Sequence, residues 1–188
     1  MYKVYPKIIL ACLLLVMTGT VYSQRVTQTI NDGWKFSLFE GDASTADFDI
    51  SGWTDVSIPH TWNAKDADDE IPGYFRGKGW YRKVVAVEEL IPEQRVYLSF
   101  EGANQETNVF VNGTFVGNHK GGYSAFTFDV TDYVHAGRNL IAVSVDNSHN
   151  PDIAPLSADF TFFGGIYRDV YLVYTSPVQL STTHYASS

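Results

Sequence analysis

Carboxylates and histidines are the residues of this chain whose types could do chemistry, but their spacing points to no catalytic set. The sequence contains 21 Asp and Glu residues and five His residues. No two histidines are four apart, as they are in a helical zinc site, and there is no Gly-x-Ser-x-Gly turn. A carboxylate pair for glycoside hydrolysis stays open, because separation along the sequence does not fix separation across a fold.

An acidic run and a high aromatic content are the two features that bear on ligands. The run at 66–70 resembles a calcium loop only in composition, since its Gly and distal Glu positions do not match, and we interpret it as a solvated loop. Aromatic residues make up 15% of the chain, and aromatic rings can stack on the apolar faces of sugars. Each of the four Trp residues is nevertheless expected in the core.

The N-terminal residues have the pattern of a secretory signal peptide. Lys3 and Lys7 precede an apolar run at 8–17, and residues 21–23 form a small-residue cleavage site. The run is about half of the roughly 20 residues that a membrane span needs. A lipoprotein cleavage before Cys12 would leave too short an apolar stretch. We expect a signal peptide at 1–23, cleavage after Ser23, and a mature domain at 24–188 in the periplasm or outside the cell.

The mature segment is expected to be one acidic domain without disulfides. Cys12 is the only cysteine and lies in the leader. About 165 residues are enough for one core. The formal net charge of −8 becomes −10 when Lys3 and Lys7 are lost. A nucleic-acid partner is therefore excluded, because phosphate binding requires a basic face.

Short apolar and aromatic runs between turn-forming residues predict an all-β sandwich. Residues 96–100 and 126–130 alternate between apolar and polar, whereas 140–143 are apolar on both faces, as in a central strand. Asn112-Gly113 predicts a hairpin with a type I′ turn, and 63–78 and 148–161 are predicted loops. The predicted strands cover 33–38, 56–58, 80–87, 96–101, 108–111, 115–119, 125–130, 140–146 and 167–174.

Several motifs occur together in a fixed order. They are GWKF at 33–36, IPHTWN at 58–63, GWYRK at 79–83, FVNG at 110–113, HKGGY at 119–123, NLIAV at 139–143 and DFTFFGGIYRDV at 159–170. Together they resemble the N-terminal sugar-binding domain of glycoside hydrolase family 2, the group of β-galactosidases, β-glucuronidases and β-mannosidases. The resemblance spans about 30–175 and implies a jelly-roll, galactose-binding-like β-sandwich.

The resemblance implies a chemical role mainly for one residue. In the family, the Asp that opens the last motif contacts sugar hydroxyls and, in β-galactosidase-like members, helps to hold a sodium ion. That position is Asp159 here, which makes it the expected substrate and metal ligand; a loop-end Asp that caps its own turn is the alternative. The acidic loop falls where some members approach substrate, so Asp68 is a second expected substrate contact. We expect no cofactor within this chain itself.

The resemblance also implies what this chain would not do alone. The catalytic Glu pair of this retaining family lies in a later barrel domain, so we expect a fragment without the Ig-like and barrel domains that binds a β-linked glycan and is inactive by itself. The missing barrel would be its partner, and self-association of the full-length enzyme stays open. A stand-alone carbohydrate-binding module and a purely structural bracing domain are the alternatives.

The leader yields a first prediction. The exported protein should begin at Gln24, because the cleavage site at 21–23 follows the apolar run directly. Intact-mass analysis of the periplasmic or secreted protein measures this. A mass that still includes residues 1–23 would contradict it.

Overall fold

The computed structural model describes residues 25–66, 73–157 and 160–177. The signal peptide predicted at 1–23 lies outside the described residues. Among these residues, ten strands and one 3₁₀ turn at Thr131–Tyr133 are the regular elements. The strands are β1 (Arg25–Thr29), β2 (Trp34–Leu38), β3 (Thr54–Val56), β4 (Lys78–Val87), β5 (Arg95–Phe100), β6 (Glu106–Val111), β7 (Thr114–Lys120), β8 (Phe126–Asp129), β9 (Gly137–Asp146) and β10 (Val170–Thr175).

Two antiparallel sheets form the sandwich, which confirms the predicted all-β jelly-roll class. One sheet has four strands in the order β1-β10-β5-β8, and the other has six in the order β3-β2-β4-β9-β6-β7. Every strand pair is antiparallel. In the described part of the chain no helix is long and apolar enough to cross a membrane.

The core lies between the inner faces of the two sheets. Val96, Leu98 and Phe100 of β5 are fully buried, as their alternation predicts. Facing residues Val143 and Val145 of β9 are equally buried. Burying such side chains contributes about 1.5–3 kcal/mol each, so this layer is the main source of the domain's stability.

A second, smaller cluster explains why 140–143 are apolar on both faces. Strand β9 lies between β4 and β6 near the middle of the six-stranded sheet. Its Ala142 packs on the outer face with Trp80 and Ala43, beneath the aromatic rings of Phe48 and Trp53. The connection between β2 and β3 therefore covers the outside of the sheet, and the central strand is buried from both sides.

The strand predictions differ from the structure at the edges of the sheets. Strand β1 was not predicted, because all five of its residues are exposed and none carries a burial signal. The strand expected at 56–58 lies at Thr54–Val56 instead. Ile58 lies outside the strand, and its amide donates to the carbonyl oxygen of Asn31 at 2.9 Å.

Turn chemistry fixes the register of the β6–β7 hairpin as predicted. Asn112 and Gly113 both have positive φ angles, 52° and 81°. A type I′ turn requires this of both central residues, and Asn and Gly tolerate it best. The prediction of the hairpin from these two residues is confirmed.

Candidate functional site

The register of β4 against β9 brings two long loops to one end of the sandwich. Lys78, the first residue of β4, pairs with Asp146, the last residue of β9. The β3–β4 loop therefore enters the sheet beside the point where the β9–β10 loop leaves it. We call this region the loop end, formed by the described residues 57–66, 73–77, 147–157 and 160–169.

Asn147 connects the two loops through its side chain. The residue is 1% exposed. Its Oδ1 accepts a hydrogen bond from the amide of Gly77 at 2.9 Å, and its Nδ2 donates to the carbonyl oxygens of Phe162 at 3.0 Å and Phe75 at 3.2 Å. One carboxamide thus pairs backbone groups from both loops, as buried polar groups require.

Asn63 extends this connection to the acidic loop. Its Nδ2 donates to Asp66 Oδ2 at 2.7 Å and to the carbonyl oxygen of Phe75 at 2.8 Å, while its Oδ1 accepts from the amide of Gly164 at 2.6 Å. The same Asp66 oxygen accepts from the Phe75 amide at 2.8 Å. Asp66 therefore closes the base of the acidic loop.

Trp62 lies flat between two glycines and is a packing residue. Its ring stacks on Phe36 at a centroid distance of 5.9 Å. A Cβ on Gly164 would come within 2.1 Å of the indole ring, and one on Gly79 within 2.7 Å. Only glycine leaves room for the ring at these two positions, so the backbone holds Trp62 in place.

His60 and Tyr81 form a neutral pair beneath the loop end. His60 Nδ1 lies 2.8 Å from the Tyr81 hydroxyl. Burial lowers the pKa of His60, and burial raises the pKa of Tyr81. Both groups are therefore uncharged at neutral pH. A Cβ on Gly165, whose φ is +122°, would lie 2.7 Å from the Tyr81 hydroxyl, so this glycine lets the β9–β10 loop pass directly over the pair.

The connection between β5 and β6 joins the loop end from a third direction. The Asn104 amide and carbonyl bond to Gly165, and Asn104 Nδ2 donates to the carbonyl oxygen of Phe163 at 2.9 Å. Gln105 Nε2 donates to the carbonyl oxygen of Ser148 at 2.5 Å. The loop end is therefore anchored by amide side chains from three connections.

The surface of the loop end combines exposed aromatic rings with a polar cleft. Phe160 is 51% exposed and meets Tyr123, which is 53% exposed, edge to face at 6.4 Å. The Arg76 guanidinium lies over the Phe162 ring at 4.9 Å. Beside them is an open cleft of about 240 Å³, lined by Gln105, Glu106, Asp146, Ser148, His149, Asn150 and Pro151.

The two predicted site residues, Asp68 and Asp159, both lie outside the described residues. The structure does place their neighbours: Phe75, in the loop of Asp68, and Phe162, in the loop of Asp159, bond to the same Asn147 side chain. Among the described residues, no group of three or more His, Cys, Asp or Glu side chains is arranged to hold a metal ion. The residue expected to be a sodium ligand, Asp159, is not among them.

Sequence reasoning did not identify Asn147 as the residue that organises this end. The only available signal was its position, an Asn directly after a buried strand and before a long loop. That signal is weak, because most such residues cap their own turns. The role of Asn147 becomes visible only through partners 15 and 72 residues away.

The fold and the loop end define the chain as a jelly-roll-type β-sandwich with its candidate site in the loops at one end. The chain belongs to glycoside hydrolase family 2: the family model described as "Glycosyl hydrolases family 2, sugar binding domain" matches residues 27–177.

Similar proteins support the assignment of the chain to this family. A putative beta-glucuronidase of Formosa agariphila is 37% identical over 174 residues, which is 89% of this chain and 21% of that protein. A beta-galactosidase of Thermoanaerobacter pseudethanolicus is 40% identical over 157 residues, or 78% of this chain and 19% of that protein.

A solved structure superimposes closely. The structure of Bacteroides uniformis beta-glucuronidase 2, covalently bound to cyclophellitol-6-carboxylate aziridine, matches with a TM-score of 0.75 and 46% identity over 81% of this chain and 18% of that one. The chain thus spans about a fifth of the length of the relatives it matches.

The packing of Trp62 gives a prediction for Gly164. Replacing Gly164 by Ala would place a methyl group within 2.1 Å of the Trp62 ring and 2.8 Å of Asn147 Cγ. Overpacking of this kind lowers the free energy of unfolding by about 1–3 kcal/mol. Urea denaturation followed by tryptophan fluorescence measures it.

Gly52→Ala is the matched control, because nothing lies within 4 Å of the Cβ that it adds. We expect its effect to stay within about 0.5 kcal/mol. Equal stability of the two variants would show that the indole is not held as described.

Proposed function

We propose that this chain is the part of an exported family 2 β-glycosidase that binds and orients a β-linked glycan, with the catalytic glutamates supplied by a separate barrel domain. The glucuronidase and galactosidase names of its relatives support a terminal β-glucuronosyl or β-galactosyl residue as the sugar. The chain would thereby supply the positioning part of catalysis, which converts a loosely bound substrate into one held for attack.

One observation carries this proposal: a single buried side chain, Asn147, fixes the bases of both loops in which the expected sugar contacts lie. A binding site must be held to within about 0.5 Å to orient a substrate, and sites on loops reach this only when the loops are braced. The bracing of these two loops by buried amides is what a substrate-positioning site needs.

The surface chemistry of the loop end also suits a carbohydrate. Sugars present apolar ring faces and many hydroxyl groups. The exposed rings of Tyr123 and Phe160 offer the first kind of contact, and the carboxylates and amides of the neighbouring cleft offer the second. The acidic character of the chain does not oppose this, because neutral hydroxyls donate readily to carboxylates.

Asp159 and Asp68 are proposed as the hydroxyl acceptors from the two loops, and Asp159 also as a ligand of a sodium ion in the full-length enzyme. A hydrogen bond to a charged carboxylate contributes about 1.5–3 kcal/mol. Asp66 differs from them because its carboxylate already accepts two hydrogen bonds within the loop base. We therefore assign Asp66 a structural role and its neighbour Asp68 a binding role.

Asp159→Asn tests the proposal in the longest polypeptide encoded by the reading frame that contains this chain. The change keeps the size of the side chain and removes its charge. We expect kcat/KM on an aryl β-glycoside to fall by about tenfold to a few hundredfold. The melting temperature should change little, because replacing a side chain that contacts substrate and not the fold costs only about 0.5 kcal/mol.

Asp152→Asn is the control, since Asp152 is an exposed carboxylate in the same β9–β10 loop. It should leave both kcat/KM and the melting temperature unchanged. If Asp159→Asn keeps full activity, or loses stability together with activity, Asp159 caps its own turn. The domain would then brace its neighbours through the exposed aromatic rings without touching sugar.

A further inference from the structure

The side chain of Asn112 is bonded in a way that its turn does not require. Asn112 Nδ2 donates to the carbonyl oxygen of Tyr133 and to Asn139 Oδ1, both at 2.9 Å. Its Oδ1 accepts from the amide of Leu140 at 2.9 Å. The residue is exposed to solvent, yet all of its polar side-chain atoms have protein partners.

The partner of Asn112 is itself rigidly held. Asn139 is fully buried. Its Nδ2 donates to the carbonyl oxygens of His135 at 2.7 Å and Gly137 at 3.1 Å, and its Oδ1 also accepts from the His135 amide at 2.9 Å. The Asn112 carboxamide is therefore fixed to a buried residue near the start of β9 and cannot rotate without breaking three hydrogen bonds.

An asparagine followed by glycine is the dipeptide most prone to deamidation, because glycine leaves its own backbone nitrogen unhindered. That nitrogen attacks the side-chain carbonyl carbon Cγ. A new N–Cγ bond forms, the Cγ–Nδ2 bond breaks, and ammonia leaves with the proton of the backbone amide. Water then opens the succinimide ring at one carbonyl to give Asp or at the other to give isoaspartate.

We propose that Asn112-Gly113 is a modification site at which deamidation is blocked by the folded hairpin and proceeds when the hairpin opens. In the folded chain, the bonds to Tyr133, Asn139 and Leu140 hold the Asn112 carboxamide in one orientation, and any turning of Cγ during the attack has to break them. In the opened chain no such restraint exists. Opening of the β6–β7 hairpin thereby leads to a permanent chemical change at Asn112.

The modified side chain would be unable to re-form the same contacts. A carboxylate has no proton to donate, and it would face two acceptors, the Tyr133 carbonyl oxygen and Asn139 Oδ1. Isoaspartate would in addition lengthen the backbone of a two-residue turn. The product therefore favours the open hairpin, and a modified chain re-forms this turn less readily. This inference does not depend on the proposed sugar role.

The rate of deamidation at Asn112 tests the proposal. The full chain is incubated at mildly alkaline pH, alone and across a urea series, beside a synthetic peptide of residues 106–120, and Asn112 is followed by peptide mass spectrometry. Circular dichroism of the same samples reports the folded fraction. We expect deamidation in the folded chain to be slower than in the peptide by at least about tenfold, the equivalent of a single hydrogen bond, and to rise with the unfolded fraction.

Two variants distinguish the loss of the Asn112 hydrogen bonds from the effect of the carboxylate that deamidation creates. Asn112→Gly keeps the positive φ and removes the side chain, and Asn112→Asp reproduces one product. The urea midpoint of Asn112→Asp should lie below that of the unmodified chain and no higher than that of Asn112→Gly. Equal deamidation rates in the folded chain and the peptide, or an unchanged midpoint for Asn112→Asp, would overturn the proposal.

Discussion

The buried carboxamides of Asn63 and Asn147 are the constraint on which the loop end depends. They are 2% and 1% exposed, and Asn147 Nδ2 lies 3.3 Å from Asn63 Oδ1. Between them they bond the backbone of Phe75, Gly77, Phe162 and Gly164. A buried backbone group without a partner costs about 1–3 kcal/mol, so the loss of either side chain would leave several such groups unpaired.

The sandwich provides the rigid base that this network needs. Strand β9 is buried from both faces and ends beside the start of β4, so Asn147 directly follows a well-packed central strand of the larger sheet. The glycines at 164 and 165 then let the returning loop pass close over Trp62 and Tyr81. The loops that carry the proposed sugar contacts are thus packed directly against core residues.

The sandwich could be predicted from sequence because its signals are local. The alternation at 96–100 and the turn at Asn112-Gly113 each reflect neighbours in the sequence. Strand β1 could not be predicted, since an exposed edge strand carries no apolar pattern. The loop-end network could not be predicted either, because Asn63 and Asn147 are 84 residues apart and the role of an amide depends wholly on its partners. Asp68 and Asp159 stay predictions from family resemblance.

A double-mutant cycle between Asn63 and Asn147 is the most direct test of the claim that the two loop bases form one unit. The free energy of unfolding is measured by urea denaturation for Asn63→Ala, Asn147→Ala and the double variant. Because the two side chains share Phe75 and bond to each other, the account predicts a coupling energy of about 0.5–3 kcal/mol. Single effects that add within about 0.3–0.5 kcal/mol would contradict it.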